Sequence, residues 1–211
     1  MALAKMTWDQ LNALVGYKIS EPFDLYYAPM EISKKQKERR IELAKRLDDV
    51  FIGLLMQYFY ADQYDTVVSS EIFERTRDEY LLALTNFVLP DEYIEAHAMS
   101  VITKTVDVLR KHNDDPYYYS EDRARAISEG DANSVFNYTE YEEAAKHKRF
   151  KTWNTIMDGH ERDSHAEVNG VTIPIEQPFV LRGGYVQFPR DESMDVSEDE
   201  IISCRCSLTF S

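Results

Sequence analysis

The residues whose types and spacing could do chemistry lie in the last third of the chain. His160-Glu161-Arg162-Asp163-Ser164-His165 invites comparison with the helical zinc motif in which two histidines stand four residues apart, but here they are five apart. At about 3.6 residues per turn, that spacing turns the rings about 140° from each other, so one helix face cannot offer both to a metal. Cys204 and Cys206 are a stronger grouping. On a strand they would point to one face while Arg205 points to the other. With His165, and His160 or Asp163 as a fourth ligand, they would make a zinc site closing the carboxy-terminal strand onto the segment after Asp158. A single Cys-x-Cys without a second cysteine pair is a weak metal signal and reads more readily as a pair of buried structural thiols. A disulfide between residues i and i+2 would be badly strained, so reduced thiols in a cytoplasm are expected.

Asp158 with Glu161 or Asp163 could act as paired carboxylates. Asp158, His160 and His165 give the alternative of a small metal-assisted hydrolase or nuclease. The same acids read as well as caps and salt-bridge partners in a turn, with Arg162 answering an acid, a phosphate or another subunit. The seven glycines never fall into GxGxxG or a phosphate-cradling loop ending in Gly-Lys-Ser/Thr, and no GxSxG elbow occurs. Nucleotide-fold enzymes and serine hydrolases are therefore disfavoured as readings.

The elements that must position these residues follow from periodicity. Ser33 and Gln36 stand in capping-box spacing ahead of Leu43, Leu47, Val50, Phe51, Leu54, Leu55, Tyr58 and Phe59, which steps of three and four put on one face of a helix over residues 33–60. A second amphipathic helix is expected over residues 70–88, stopped by Pro90. A third takes in Ile94, Ala98, Val101, Ile102 and Leu109 and ends before Asn113-Asp114-Asp115-Pro116. His97 and His112, with no partner at ligand spacing, read as surface or packing histidines. A fourth helix is expected over residues 120–148, weakened by Gly130 and Asn133. Tyr117 to Tyr119 before it read as an interface patch or a packed elbow.

Beyond residue 149 the pattern turns strand-like at 150–157, 171–175, 179–181, 185–188 and 204–210, with Asn169-Gly170 and Gly183-Gly184 as turns. The acids of Arg190 to Glu200 would repel one another in a core and read as an exposed loop. The expected fold class is α+β: a helical region of three to four amphipathic helices over residues 1–119, then a small module with short antiparallel strands over residues 120–211.

With 24 basic against 38 acidic residues the formal net charge is −14, which disfavours free binding to duplex DNA. The cluster Lys34, Lys35, Lys37, Arg39 and Arg40 reads as a solvated helix face. Apolar residues at 44% and charged residues at 29% suit a folded chain. No stretch nears the roughly 20 apolar residues of a membrane span, and Met1 to Gln10 carry no secretory pattern, so a soluble protein is expected.

Taken in order, Lys151-x-Trp153-x-Thr155, Asp158, Arg162-x-x-His165, Asn169-Gly170, Phe179, Pro189 and Cys204-Arg205-Cys206 resemble the signature of the phage Mu F-like head morphogenesis proteins. The stretch carrying Arg123, Arg125 and Glu129 looks like the helix that precedes that signature, so the resemblance covers about residues 120 to 208. Three positions depart from it. Ser203 stands where the family usually has asparagine, Asn169 where it usually has aspartate, and Ser128 where it tends to keep arginine.

The resemblance implies a low-copy minor head protein that binds the portal protein at the packaging vertex, sometimes leaves with the DNA, and has no established catalytic residue. Other capsid or scaffolding proteins are further expected partners. Arg162, Arg182 and Lys151 are the candidates for local contact with packaged DNA. The expected location is the virion, with assembly in the host cytoplasm. The module is expected to stand alone, without the toxin or enzyme domain that follows it in some relatives.

Overall fold

The structure is a computed structural model that describes residues 6–15, 22–63 and 70–211. The chain is α+β. Helices α1 (Trp8–Val15), α2 (Asp24–Tyr27), α3 (Lys34–Gln63), α4 (Ser70–Ala83), α5 (Glu92–Lys111) and α6 (Glu121–Ala145) dominate the first two thirds. Short strands β1 (Phe150–Asn154), β2 (Thr172–Pro174), β3 (Phe179–Leu181), β4 (Gly184–Val186) and β5 (Ser207–Phe210) follow, with the short helices α7 (Asp163–Glu167) and α8 (Glu198–Ile201) among them. Among the described residues no helix is long and apolar enough to cross a membrane.

Two compact units divide the chain, one of residues 1–23 and 42–129, the other of residues 24–41 and 130–211. The division falls inside α3 and α6. Arg40 explains why residues 24–41 go with the carboxy-terminal unit. It lies in the basic cluster expected to be solvated, yet it is wholly buried and bonded to α6 at Asn133, Asn137 and Glu140. Its place in the helix repeat accounts for this, because Arg40 falls three residues before Leu43 and seven before Leu47, on the buried stripe.

In the first unit, Leu47, Phe51, Leu54 and Leu55 of α3 are buried together with Tyr80 and Leu84, and with Ile94, Ala98, Ile102 and Val106 of α5, as helical periodicity requires. α4 ends at Ala83, earlier than Pro90 alone would dictate. Asn86 takes a left-handed φ of 76° there, and asparagine is one of the few residues suited to that conformation. Asp91 caps α5 by accepting the Ile94 N–H at 2.9 Å. His97 is buried and stacks on Tyr93, and His112 stacks on Tyr118. Tyr119 is also buried, its hydroxyl donating to Asp62 at 3.3 Å.

The second unit opens with the capping box foreseen for α3. The Ser33 N–H donates to Gln36 Oε1 at 2.9 Å, and the Gln36 N–H to Ser33 Oγ at 3.3 Å. α6 runs unbroken through Gly130 and Asn133. A Cβ at Gly130 would sit 3.1 Å from Arg190 Nη1, so the glycine leaves room for that guanidinium. The sheet order is β2-β1-β5, all antiparallel, and β3-β4 form a separate hairpin across Gly183-Gly184. Three expectations are corrected here. Asn169-Gly170 joins α7 to β2 and is not a turn between two strands. Cys204 and Cys206 precede β5 and do not lie on it. The acidic segment is not uniformly exposed, because Asp191 and Glu200 are buried with backbone and hydroxyl donors on their carboxylates.

Asp48, in α3 within the first unit, gives a pH signature. Burial pushes its carboxyl up from 3.8 to about 6, against the pull of Arg125, whose Nε lies 3.9 Å away, and of the Ser128 hydroxyl at 3.4 Å. A group whose pKa rises on folding stabilises the fold fully below its unfolded pKa, and that stability is lost as pH rises through the folded one. Wild-type stability should therefore fall between about pH 4 and about pH 6 through this group. Asp48→Asn, which cannot ionise, should shrink the stability difference between about pH 4 and about pH 7 by up to about 3 kcal/mol, read by urea denaturation at each pH.

Candidate functional site

β1 carries the first part of the site because its side chains alternate. Phe150 is exposed and Thr152 and Asn154 are partly so, whereas Lys151, Trp153 and, just beyond the strand, Thr155 face inward. The Trp153 indole N–H donates to Thr155 Oγ1 at 3.0 Å, and the Thr155 hydroxyl donates to the His165 carbonyl at 2.8 Å. The Thr155 backbone N–H donates to Asn169 Oδ1 at 2.8 Å, and the Gly170 N–H to the Trp153 carbonyl at 2.8 Å. That last bond, made from a residue with a left-handed φ of 73°, ties the turn after α7 to the strand. An aspartate at position 169 would accept the same Thr155 N–H, so the departure there leaves the contact intact. Trp153 meets Phe179 edge-on at 5.1 Å and His165 at 5.5 Å.

Lys151 is wholly buried. Its ammonium donates to the Gln187 carbonyl at 2.8 Å and lies over the Tyr141 and Phe179 rings at 4.8 and 5.3 Å. Burial pulls its pKa down to about 8, while Asp191 and Glu176 push it back up. It is therefore a packing cation and is not available to DNA. Arg182 pairs with Glu167 and Asp163, and Arg162 donates to the Ile202 carbonyl. All three cations considered for local DNA contact are thus engaged within the unit.

The segment after β1 forms a self-capping loop. Glu161 accepts the N–H groups of Asp158 and Gly159 at 3.0 and 2.7 Å, and Asp158 accepts the His160 N–H at 3.2 Å. The Arg205 guanidinium donates to Asp158 and holds its carboxyl below the usual range. His160 and Asp163 are exposed. His165, by contrast, is buried and turned toward the cysteines and Glu200. Asp158, His160 and His165 therefore address different partners, which is the arrangement expected of caps and ion pairs.

His165, Cys204 and Cys206 do come together, with their ligand atoms all within 4.8 Å of one another. His165 Nδ1 is 3.4 Å from Cys206 Sγ and 3.8 Å from Cys204 Sγ. A hydrogen bond from Cys206 pulls Cys204 well below the ordinary thiol range, with His165 adding to the effect, and that same bond and burial push Cys206 well above it. On the other side of the ring, Nε2 lies 3.1 Å from Glu200 Oε2 but out of hydrogen-bond alignment. Glu200 is fixed by the Ser164 hydroxyl at 2.7 Å and the Gly183 N–H at 2.9 Å. Nothing in the sequence separates Glu200 from its exposed neighbours Glu198 and Asp199, so its role was missed.

The loop that presents the cysteines is held from both ends. Ser203 takes a left-handed φ of 56°. Asparagine tolerates that region better than serine, which gives the family preference at this position a physical reason. The Cys206 carbonyl accepts the side-chain amides of Asn133 and Asn137, each at 3.1 Å, and Asn137 also reaches the carbonyl of buried Pro189 at 3.3 Å. Arg40 holds the other ends of both asparagines and pairs through two nitrogens with Glu140 at 2.9 Å. Arg123, Arg125 and Glu129 belong to the first unit, where Arg125 lies 3.6 Å from the Phe23 ring centroid and Arg123 5.8 Å from that of Tyr118.

Two variants probe this geometry. Ser203→Asn should stabilise the protein by a few tenths to about 1 kcal/mol by relieving the left-handed residue, measured by urea denaturation. Arg40→Met removes the charge that faces Glu140 in this network and the donors to both asparagines, and should cost about 3 kcal/mol or more in the same assay.

No curated relative and no solved structure matches the chain. A model of the family described as phage Mu protein F like protein matches residues 97–209, starting within α5 and covering more than half of the chain. The protein therefore belongs to the phage Mu F-like family of head morphogenesis proteins.

Proposed function

We propose that this protein is a minor head protein that binds the portal at the packaging vertex and acts in head assembly or genome delivery, without turnover of a substrate. The observation that carries the reading is the family match over residues 97–209. The site chemistry agrees with it. Arg162, Arg205 and Pro189 of the family motif help hold one loop in place, and the Asp158 carboxylate is occupied by Arg205. A net charge of −14 suits a protein that works beside packaged DNA without adhering to it.

In the first unit, two exposed leucines are the proposed contact for a protein partner. Leu82 and Leu89, close to each other in sequence at the α4–α5 connection, are 69% and 87% exposed, which leaves two large aliphatic side chains facing solvent. Portal binding through this connection is part of the proposal.

The test is co-expression with the portal protein of the same phage, followed by size-exclusion chromatography with light scattering on the purified ring. Co-elution at a defined stoichiometry is expected, and Leu82→Asp combined with Leu89→Asp should abolish it while leaving the helical circular dichroism unchanged. Clean separation of the wild-type protein from an intact portal ring would overturn the reading. Under the same proposal His165→Ala lowers stability or assembly and exposes no lost catalytic activity.

A further inference from the structure

Two thiols and an imidazole nitrogen converge in a buried place, where Cys206 Sγ also has the Thr155 hydroxyl 3.6 Å away. Cys204, Cys206 and His165 are 1%, 3% and 2% exposed. His165 Nδ1 presents a single lone pair or a single N–H, so two sulfurs at 3.4 and 3.8 Å cannot both make a well-directed hydrogen bond with it. A cation at their centre satisfies all three at once. In a tetrahedral zinc site with Zn–S about 2.3 Å and Zn–N about 2.0–2.1 Å, neighbouring ligand atoms stand roughly 3.5–3.8 Å apart. The two separations from Nδ1 lie on that scale, and all three ligand atoms are within 4.8 Å of one another.

We propose that Cys204 Sγ, Cys206 Sγ and His165 Nδ1 bind one zinc ion, with Glu200 as the positioning residue behind the imidazole. A metal-bound histidine usually directs its remaining ring N–H at a carboxylate, which fixes the tautomer and the ring plane. Glu200 Oε2, 3.1 Å from Nε2, is placed for that work, and it is itself anchored by Ser164 and Gly183. The ligands are held by the rest of the unit. Thr155 bonds the His165 carbonyl, Asn133 and Asn137 bond the Cys206 carbonyl, and the edge of Trp153 packs on the His165 ring.

As each Zn–S bond forms, the thiol releases its proton to solvent, so two thiolates balance the dication and no oxidation is involved. His160 and Asp163, the fourth ligands suggested by the sequence, are exposed, and Asp163 is paired with Arg182. A water molecule therefore completes the coordination. The ion would act as a clip between α7 and the segment before β5, where a unit with short strands has little sheet to hold it.

The site stands apart from the portal role and is tested separately on the full chain. Protein produced in zinc-supplemented medium without chelator should carry about one equivalent of zinc by elemental analysis. The cobalt-exchanged form should show thiolate-to-cobalt charge transfer together with intense tetrahedral ligand-field bands. Cys204→Ser and Cys206→Ser should remove both the charge-transfer signal and most of the metal. Glu200→Gln should keep the fold by circular dichroism and weaken zinc binding by about 10- to 100-fold, whereas His160→Ala and Asp163→Ala should leave the metal content unchanged. Should the cysteine variants fail to fold, the wild-type cobalt spectrum decides the matter. Zinc below about 0.2 equivalents after loading and desalting, or a cobalt form lacking thiolate charge transfer, would overturn the proposal.

Discussion

Burying the guanidinium of Arg40 commits the second unit to a specific set of partners. A charge that has left water needs both an opposite charge and a partner for its N–H groups, or the unit would lose several kcal/mol (about 3–5) by holding it. Glu140 supplies the charge, and Asn133 and Asn137 take the remaining donors. Those two asparagines then have their amide N–H groups oriented, and both deliver them to the carbonyl of Cys206. A backbone carbonyl outside the strand ladder is thus satisfied by a network that starts on α3, crosses α6 and ends at the cysteine loop. The spacing of Asn133 and Asn137, one helical turn apart, is what lets both reach one oxygen.

The family motif residues from β1 onward make sense as the other supports of that loop. Arg162 reaches the Ile202 carbonyl just before it, Arg205 is tied to Asp158, and Pro189 lends its carbonyl to Asn137. Trp153 and Thr155 hold His165, and Phe179 packs on Trp153. Residues far apart in sequence are therefore kept together by one geometric requirement, that the segment before β5 approach α7 with its cysteines inward. This accounts for a motif rich in polar residues without assigning it catalysis.

The two units use their ionisable groups differently. In the first, Asp48 is a buried acid whose ionisation the fold resists, with Arg125 divided between that acid and the Phe23 ring. In the second, Lys151 is a buried cation lying over aromatic faces and bonded to a carbonyl. Both charges are turned inward, where they answer to packing.

Apolar spacing and the capping pair Ser33 with Gln36 act over a few residues, so the long helices, the cap of α3 and the approximate places of the strands were legible before any tertiary contact was known. The family was legible too, through the order of motif residues between Lys151 and Cys206. The burial of Arg40 could in principle be read from its place on the apolar stripe of α3, but its charge argued for solvent, and only a partner on another helix could reverse that. Glu200 and Asp191 carried no local mark at all. Whether an acid in an acidic stretch is exposed or buried depends on which distant donors meet it, and Gly183, Ser164 and Gln187 are brought to them by the chain's path alone. The meeting of His165 with Cys204 and Cys206 was open for the same reason: local spacing sets which residues share a face, and tertiary structure decides which faces meet.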